Sequence, residues 1–235
     1  MKKTFQLFLF TSLFLGVSQF AQAQTADDIL EAHFKAIGGK DQWRQLRSIT
    51  YKLFLVTLHS RSTYQVTHLH PNAWRQTTKG FGGIVTVSDG KRSWYKKANE
   101  KTVLLKNNIV RPSLQPYYLD YKKKGHKIKY MGIVKVKGEE YHQLKTIQKN
   151  GTVEHLFFDI HLLMLRITKT KFGIKKGSKN LWQYIYYDDY KQVGSRWFSH
   201  KKRVQKPGYS ALYFTKSDIV TNAKVNPQLF KYPGK

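Results

Sequence analysis

The 235-residue chain has no cysteine and few acidic residues, since 14 Asp and Glu stand against 42 Lys and Arg, for a formal charge of +28. The absence of cysteine excludes disulfides, thiolate zinc sites, iron–sulfur clusters and cysteine nucleophiles. The small number of carboxylates leaves few candidates for acid–base catalysis or hard-cation sites. The hydrophobic content of 40% is still enough for a packed core, so the composition is typical of a folded domain.

Catalytic signatures are also missing, because the sequence has no Gly-x-Ser-x-Gly, P-loop, HExxH or Rossmann glycine motif. His68 and His70 could share one strand face as a metal pair, but no third ligand can be placed. His155, Asp159 and His161 lie near one turn and are a weak candidate for a hydrolytic site. We therefore predict that the protein is not an enzyme and has no metal or cofactor. A secreted hydrolase is the least favoured alternative.

The N-terminus has the pattern of a secretory signal peptide. Met1-Lys2-Lys3 gives a positive start, residues 5–17 are almost all apolar, and Ala21-Gln22-Ala23 supplies small residues for cleavage. The apolar run is shorter than the roughly 20 residues that a membrane-spanning helix needs. We predict removal of residues 1–23, a single mature domain over residues 24–235, and a periplasmic location, or secretion if the host lacks an outer membrane. An exported protein seldom meets nucleic acid, so we expect no such partner.

The mature chain opens with an amphipathic helix. Thr25 is a suitable N-cap, and five residues recur on one helical stripe: Ile29, Leu30, His33, Phe34 and Ile37. Gly38-Gly39 is a C-terminal stop signal. A second short helix is expected over residues 41–46, and the single apolar face of each helix must pack against a larger element.

Beyond the second helix, apolar residues recur at every second position, which predicts strands. Asp89-Gly90 and Asn150-Gly151 mark hairpin turns. The spacing predicts ten or eleven strands, with polar loops at residues 97–115 and 171–179. We therefore predict a mainly β protein, built as a strongly curved antiparallel sheet or incomplete barrel with the N-terminal helices as a lid.

Such a sheet has more inward apolar area than two short helices can cover, which predicts a cavity. Burying each CH₂ of a lipid chain contributes roughly 0.8 kcal/mol, so about 14 methylenes would gain on the order of 11 kcal/mol without any catalytic group. We predict a carrier or binding protein for acylated cargo, either lipoprotein or lipid. The predicted ligand-binding residues are apolar and aromatic: Ile29, Phe34, Leu53, Leu55, Trp74, Trp94, Phe157, Trp182, Tyr184 and Tyr186.

The basic residues form clusters within residues 122–129, 169–179 and 201–206. We interpret them as a solvated outer face that keeps the protein soluble. The same face would attract an anionic membrane surface, at roughly 1 kcal/mol per well-placed basic residue. The alternative function is therefore an outer-surface module that binds anionic lipopolysaccharide or acidic glycans. We expect a monomer in either case.

Four stretches of the chain resemble the periplasmic lipoprotein-carrier superfamily, the LolA/LolB-like proteins that sort outer-membrane lipoproteins. They are the leader with residues 26–30 and Gly38-Gly39, the hairpin at residues 87–94, residues 132–151 leading into Phe157-Phe158-Asp159, and residues 187–191 with Gly194. The resemblance implies an incomplete barrel of about eleven strands with a helical lid, which carries acylated proteins or lipids without metal or nucleotide. It also implies an inward arginine that ties the lid to the barrel, with Arg61, Arg75 and Arg92 as candidates.

Overall fold

The computed structural model describes residues 24–78, 83–106, 113–171 and 181–233. The predicted signal peptide, residues 1–23, lies outside the described residues. So do parts of the two predicted loops at residues 97–115 and 171–179. Within the described ranges, no helix combines the length and apolar character needed to cross a membrane.

Two α-helices, a short 3₁₀ helix and thirteen strands make up the described part of the chain. The helices are α1 (Ala26–Ala36) and α2 (Lys40–Arg44), and the 3₁₀ helix is Pro227–Phe230. The strands are β1 (Ser48–Val56), β2 (Arg61–Leu69), β3 (Ala73–Thr78), β4 (Val85–Ser88), β5 (Ser93–Lys96), β6 (Val103–Leu104), β7 (Lys127–Val136), β8 (Glu139–Ile147), β9 (Val153–Asp159), β10 (Leu165–Lys171), β11 (Trp182–Val193), β12 (Arg196–Gln205) and β13 (Leu212–Thr221).

The ends of α1 follow from local chemistry. Thr25 caps the helix as predicted, because its Oγ1 accepts the backbone N–H of Asp28 at 3.2 Å while the Asp28 carboxylate accepts the backbone N–H of Thr25 at 2.8 Å. The chain leaves the helix through Gly38 and Gly39, which have positive φ angles of 107° and 93°. The predicted second helix is present, but it is α2 and ends at Arg44.

The described strands join one antiparallel sheet in the order β6-β5-β4-β3-β2-β1-β13-β12-β11-β10-β9-β8-β7. The sheet is not closed, because β6 and β7 are its two edges, so the predicted incomplete barrel is confirmed. The prediction of ten or eleven strands is too low. One reason is that Val103 and Leu104 form the short strand β6 inside a segment predicted as a loop.

Alternation along the strands gives the sheet two faces. We call the face that carries α1 and α2 the inner face, and the opposite one the outer face. On β1, the inner face presents Ile49, Tyr51, Leu53 and Leu55, whereas the outer face presents Lys52, Phe54 and Val56.

One buried cluster shows that the sheet wraps around the helices. Phe34 of α1, Ile49 of β1 and Leu144 of β8 all belong to this cluster. Six steps in the sheet separate β1 from β8, which would be about 29 Å in a flat sheet. Since a helix with its side chains is only about 10–12 Å wide, the strands must curl toward it. The inner face is therefore concave.

Candidate functional site: the inner face of the curved sheet

The N-terminal helices close one end of the inner face. On α1, Ile29, Leu30, His33 and Phe34 are buried. Trp43 of α2 packs on Phe198 of β12, with ring centroids 5.1 Å apart. The buried strand residues beneath the helices include Ile49, Leu144, Leu156, Phe158, Leu165 and Ile219. The helices thus form the lid that the sequence predicts.

An arginine does tie this lid to the sheet, but it is Arg196, at the start of β12. This residue is buried, at 4% exposure, and its Nε and Nη2 both donate to the backbone carbonyl of Gln42 in α2, Nε at 2.7 Å. The neighbouring Ser195 Oγ donates to the Gln42 side-chain oxygen at 2.7 Å. Trp197 N–H donates to the Ile37 carbonyl at 3.1 Å. The hairpin between β11 and β12 is therefore the anchor of the lid.

The three arginines proposed from the sequence lie elsewhere. Arg61 and Arg75 are on outer-face positions of β2 and β3. Arg92 lies in the turn before β5, where it pairs with Asp89 at 3.2 Å and packs on the ring of Tyr232. The prediction that one of these three arginines ties the lid to the sheet is therefore wrong, because Arg196 makes that contact. Sequence reasoning missed Arg196 because only the packing of the hairpin on α2 brings it to Gln42.

A second set of polar contacts holds the lid along the turn segment at residues 117–125. Arg44 of α2 pairs with Asp120 through two hydrogen bonds of 2.9 and 2.6 Å. Asp27 of α1 accepts from Lys122 at 2.5 Å and from the Tyr121 hydroxyl at 2.9 Å. The pKa values of Asp120 and Asp27 are both lowered, chiefly by these hydrogen bonds to Arg44 and Lys122. These exposed pairs position the lid more than they stabilise it.

Beyond the lid, the inner face continues as an apolar surface. Tyr51 is the last residue of β1 that packs against the buried cluster. Leu53 and Leu55 follow it on β1. On β13, Phe214 lies opposite Leu55, and Leu212 lies two residues before Phe214 on the same face. All four side chains are half-buried. They form an apolar floor on the concave side of the sheet, which we call the inner floor.

Two lysines point into this apolar surface. Lys202 of β12 and Lys216 of β13 are on inner-face positions, since Lys202 is paired with Phe214 and Lys216 with Leu53. The interpretation of the 201–206 cluster as part of an outer coat is thus wrong for Lys202. Burial, and then the nearby charge of Lys202, lower the pKa of Lys216 to about 8.

The ten predicted ligand-binding residues are divided between the two faces. Ile29, Phe34 and Trp74 are buried on the inner side, and Leu53 and Leu55 belong to the inner floor. The other five are on the outer face: Trp94, Phe157, Trp182, Tyr184 and Tyr186. The structure therefore does not bring all ten together in one cavity, because strand neighbours alternate between faces.

The outer-face aromatics of β11 form a second feature. Trp182, Tyr184 and Tyr186 line a cleft of about 330 Å³, together with Val136, Lys137 and residues 205–207 at the end of β12. Cations lie over their rings: Lys169 Nζ is 4.5 Å from the Trp182 ring centre, and Arg203 is 4.2 Å from that of Tyr186. A smaller cleft of about 230 Å³, also largely on the outer face, is lined by residues of β1 and β2.

The weak catalytic candidates do not form a site. His155 is on the outer face beside Trp182, whereas the Asp159 carboxylate accepts backbone N–H groups of His161 and Leu162 in a turn, at 2.9 and 2.7 Å. His68 Nε2 bonds to the Tyr51 hydroxyl at 3.2 Å. In the part of the chain that the structure describes, no three His, Asp or Glu side chains are arranged to hold a metal ion.

Comparison with solved structures identifies the architecture. A LolA superfamily protein from Nitrosomonas europaea matches with a TM-score of 0.61 at 10% identity, over 89% of this chain and 99% of that one. The fold is LolA-like. An outer membrane lipoprotein-sorting protein domain from Vibrio parahaemolyticus matches with a TM-score of 0.58 at 14% identity, over 86% of this chain and 94% of that one.

A third structure with the LolA-like fold is a DUF1329 family protein from Desulfovibrio piger, with a TM-score of 0.59 at 11% identity. The match covers 86% of this chain and 96% of that one. No family model and no curated protein sequence matches the chain. The resemblance noted from the sequence is therefore confirmed for the fold.

Proposed function

We propose that the protein is an exported carrier or binding protein for acylated cargo, and that it performs no catalysis. The observation that carries this proposal is the inner floor, where four large apolar side chains lie half-buried beyond the lid. Water in contact with such a concave apolar surface is readily displaced by an acyl chain. The Vibrio lipoprotein-sorting domain has the same fold, which supports the proposal.

The energetics favour an acyl chain over a polar ligand in this place. Each CH₂ moved from water onto an apolar surface contributes roughly 0.8 kcal/mol. The helical lid, anchored by Arg196, would then cover the part of the ligand nearest α1. Carriage of this kind needs shape and apolar area, which the inner face has, and it needs no paired acid and base.

The leader pattern supports an activity outside the cytoplasm. With the signal peptide removed, the mature protein would act in the periplasm, and its strongly basic outer face would allow brief contact with anionic membrane surfaces. The cargo would be a lipoprotein or a lipid, bound by a single copy of the chain.

Export of the full chain through its own leader, purification from the periplasm, native mass spectrometry and lipid extraction would test the proposal. We expect added masses that extract as acylated molecules. Leu55→Gln, on the inner floor, should reduce this occupancy at least tenfold, whereas Val56→Gln, the adjacent outer-face residue, should leave it unchanged. Protein that carries no acylated molecule and takes up none from vesicles would contradict the proposal.

The outer cleft favours a second candidate function, the binding of anionic glycans or lipopolysaccharide. Aromatic rings with cations over them suit sugar rings that bear acidic groups. Trp182, Tyr184 and Tyr186 supply the rings, while Lys169 and Arg203 supply positive charge. Because these cations are near the surface, binding there would depend strongly on salt.

A further inference from the structure

Lys216 occupies an unusual place for a lysine. It lies on the inner face, where its Nζ is 5.5 Å from the centre of the Tyr51 ring. Lys202 on the next strand places its Nζ 4.6 Å from the centre of the Phe214 ring. The two ammonium groups thus lie at the boundary between the lid and the inner floor, each beside an aromatic ring.

Among the residues that the structure describes, no carboxylate forms an ion pair with Lys216. Glu154 is also on the inner side, but it accepts from the Tyr117 hydroxyl at 2.6 Å on β9, three strands away from β12. Three strand spacings are about 14 Å in a flat sheet.

The other polar groups around Lys216 are not anions either. His200 on β12 donates from Nδ1 to the Lys216 carbonyl at 3.1 Å, and its buried Nε2 has no partner in the described structure. On β1 and β2, the Tyr51 hydroxyl and His68 bond to each other. Lys216 is half-buried, and a cation that loses part of its hydration without gaining a counter-charge is costly, so this site favours an anion that comes from outside the chain.

We propose that Lys216 and Lys202 bind the anionic head group, a carboxylate or a phosphate, of an amphiphile whose single acyl chain lies on the inner floor. The inference rests on the proposed function and narrows its cargo to acidic amphiphiles. Leu53, cross-strand from Lys216, and Phe214, cross-strand from Lys202, continue directly from the charged groups into the apolar floor. The two lysines therefore lie where the head group of an acidic lipid would be, and the inner floor lies where its acyl chain would be.

Ligands that share one acyl chain and differ in head group test this inference on delipidated mature protein. Palmitate, palmitoyl lysophosphatidic acid and uncharged monopalmitoylglycerol would each displace an uncharged fluorescent dye from the wild-type protein. We expect one or both acidic ligands to bind at least tenfold more tightly than the glyceride, and their ranking tells carboxylate from phosphate. Binding of the acidic ligands should weaken as the pH rises above 8, since Lys216 then loses its proton.

Lys216→Met should remove most of the preference for acidic ligands and leave the glyceride unchanged, because methionine keeps the apolar length of the side chain. Lys216→Arg should retain the preference. Lys201→Met, the exposed neighbour of Lys202, is the matched control and should have no effect. The melting temperature of each variant reports whether it is folded.

The outcomes separate the two proposals. If palmitate, lysophosphatidic acid and the glyceride bind equally well and Lys216→Met changes nothing, the inference is wrong while the carrier function stands. If none of the three ligands binds, the proposed function itself fails. A preference for acidic ligands that persists in Lys216→Met would also overturn the role given to this lysine.

Discussion

His33 shows how strongly the fold determines the chemistry of a single residue. His33 is on the buried side of α1, and the residue is 1% exposed. Nδ1 donates to the Leu163 carbonyl at 2.6 Å, and Nε2 accepts from the Tyr118 hydroxyl at 3.3 Å. Since a carbonyl can only accept, Nδ1 must carry a proton. Burial lowers the pKa of His33 to about 4.

The depressed pKa of His33 predicts acid sensitivity. In the unfolded chain the imidazole has a pKa near 6.5, so between pH 6.5 and 4 the unfolded state binds more protons than the native state. The stability that neutral His33 provides is therefore complete above pH 6.5 and is lost as the pH falls toward 4. A shift of this size corresponds to about 3 kcal/mol in the free energy of unfolding.

Urea unfolding at pH 7.5 and pH 4.5 would measure this effect. His33→Gln, which cannot titrate but can still donate to the Leu163 carbonyl, should be less stable at pH 7.5 and lose less stability on acidification. Other histidines also have lowered pKa values, including His142 and His200, so the comparison with His33→Gln isolates one group. Equal losses in the two proteins would show that His33 is not the acid-sensitive group.

At the scale of elements, the lid is held by close packing on one hairpin. Gly38 follows α1 with a φ of 107°, and a Cβ added there would lie 1.9 Å from the Ser195 carbonyl oxygen. Only glycine permits this approach of the two backbones. The guanidinium of Arg196 then reaches the Gln42 carbonyl from the same hairpin. This hairpin therefore holds the lid chiefly through one close backbone contact and one buried arginine.

Replacing Arg196 should loosen the lid without unfolding the sheet. Arg196→Met leaves the Gln42 carbonyl without its donors, and hydrogen bonds from a charged group contribute about 1.5–3 kcal/mol. Hydrogen–deuterium exchange should rise in residues 25–46 while β8 and β9 stay protected. Arg61→Met, on the exposed outer face of β2, is the control and should not alter exchange in the lid. Unchanged protection in Arg196→Met would mean that apolar packing alone holds the helices.

On the scale of the whole molecule, the charge of +28 has two different roles. Most lysines that alternate with apolar residues, such as Lys127, Lys129 and Lys135 on β7, are exposed. Exposed lysines of this kind favour solubility and attract anionic surfaces. Lys202 and Lys216 instead point inward, where screening by salt is weak. A net charge therefore says little about function until each residue is assigned to a face.

Salt dependence should distinguish the two candidate functions. Binding of uncharged monopalmitoylglycerol on the inner floor should change less than twofold between 50 and 500 mM NaCl, because it depends on apolar area. Binding of lipopolysaccharide in the outer cleft should weaken at least tenfold over the same range and should weaken further in Arg203→Gln. If the affinity for monopalmitoylglycerol instead falls at least tenfold with salt and is reduced in Arg203→Gln, the outer surface would be favoured as the functional site.

Sequence periodicity was sufficient for most of the elements and for the general architecture, although it missed β6. The stripe that contains Ile29, His33 and Phe34 predicted α1, and the turn signals predicted the hairpins. The pattern could not assign functional residues, because the aromatics of β11 alternate as regularly as a core strand does while facing outward. Lys216 was likewise missed, since its sequence neighbours resemble those of an exposed strand.

Local sequence thus determined where helices and strands form, because capping, turn chemistry and alternation act between residues a few positions apart. The tertiary structure decided which face became concave and which side chains reached it. A positive φ of 52° at Asp218 marks a local irregularity that lets Lys216 and Ile219, three residues apart, both lie on the inner side. Contacts such as Arg196 with Gln42 join residues 154 positions apart, and only the folded sheet brings them together.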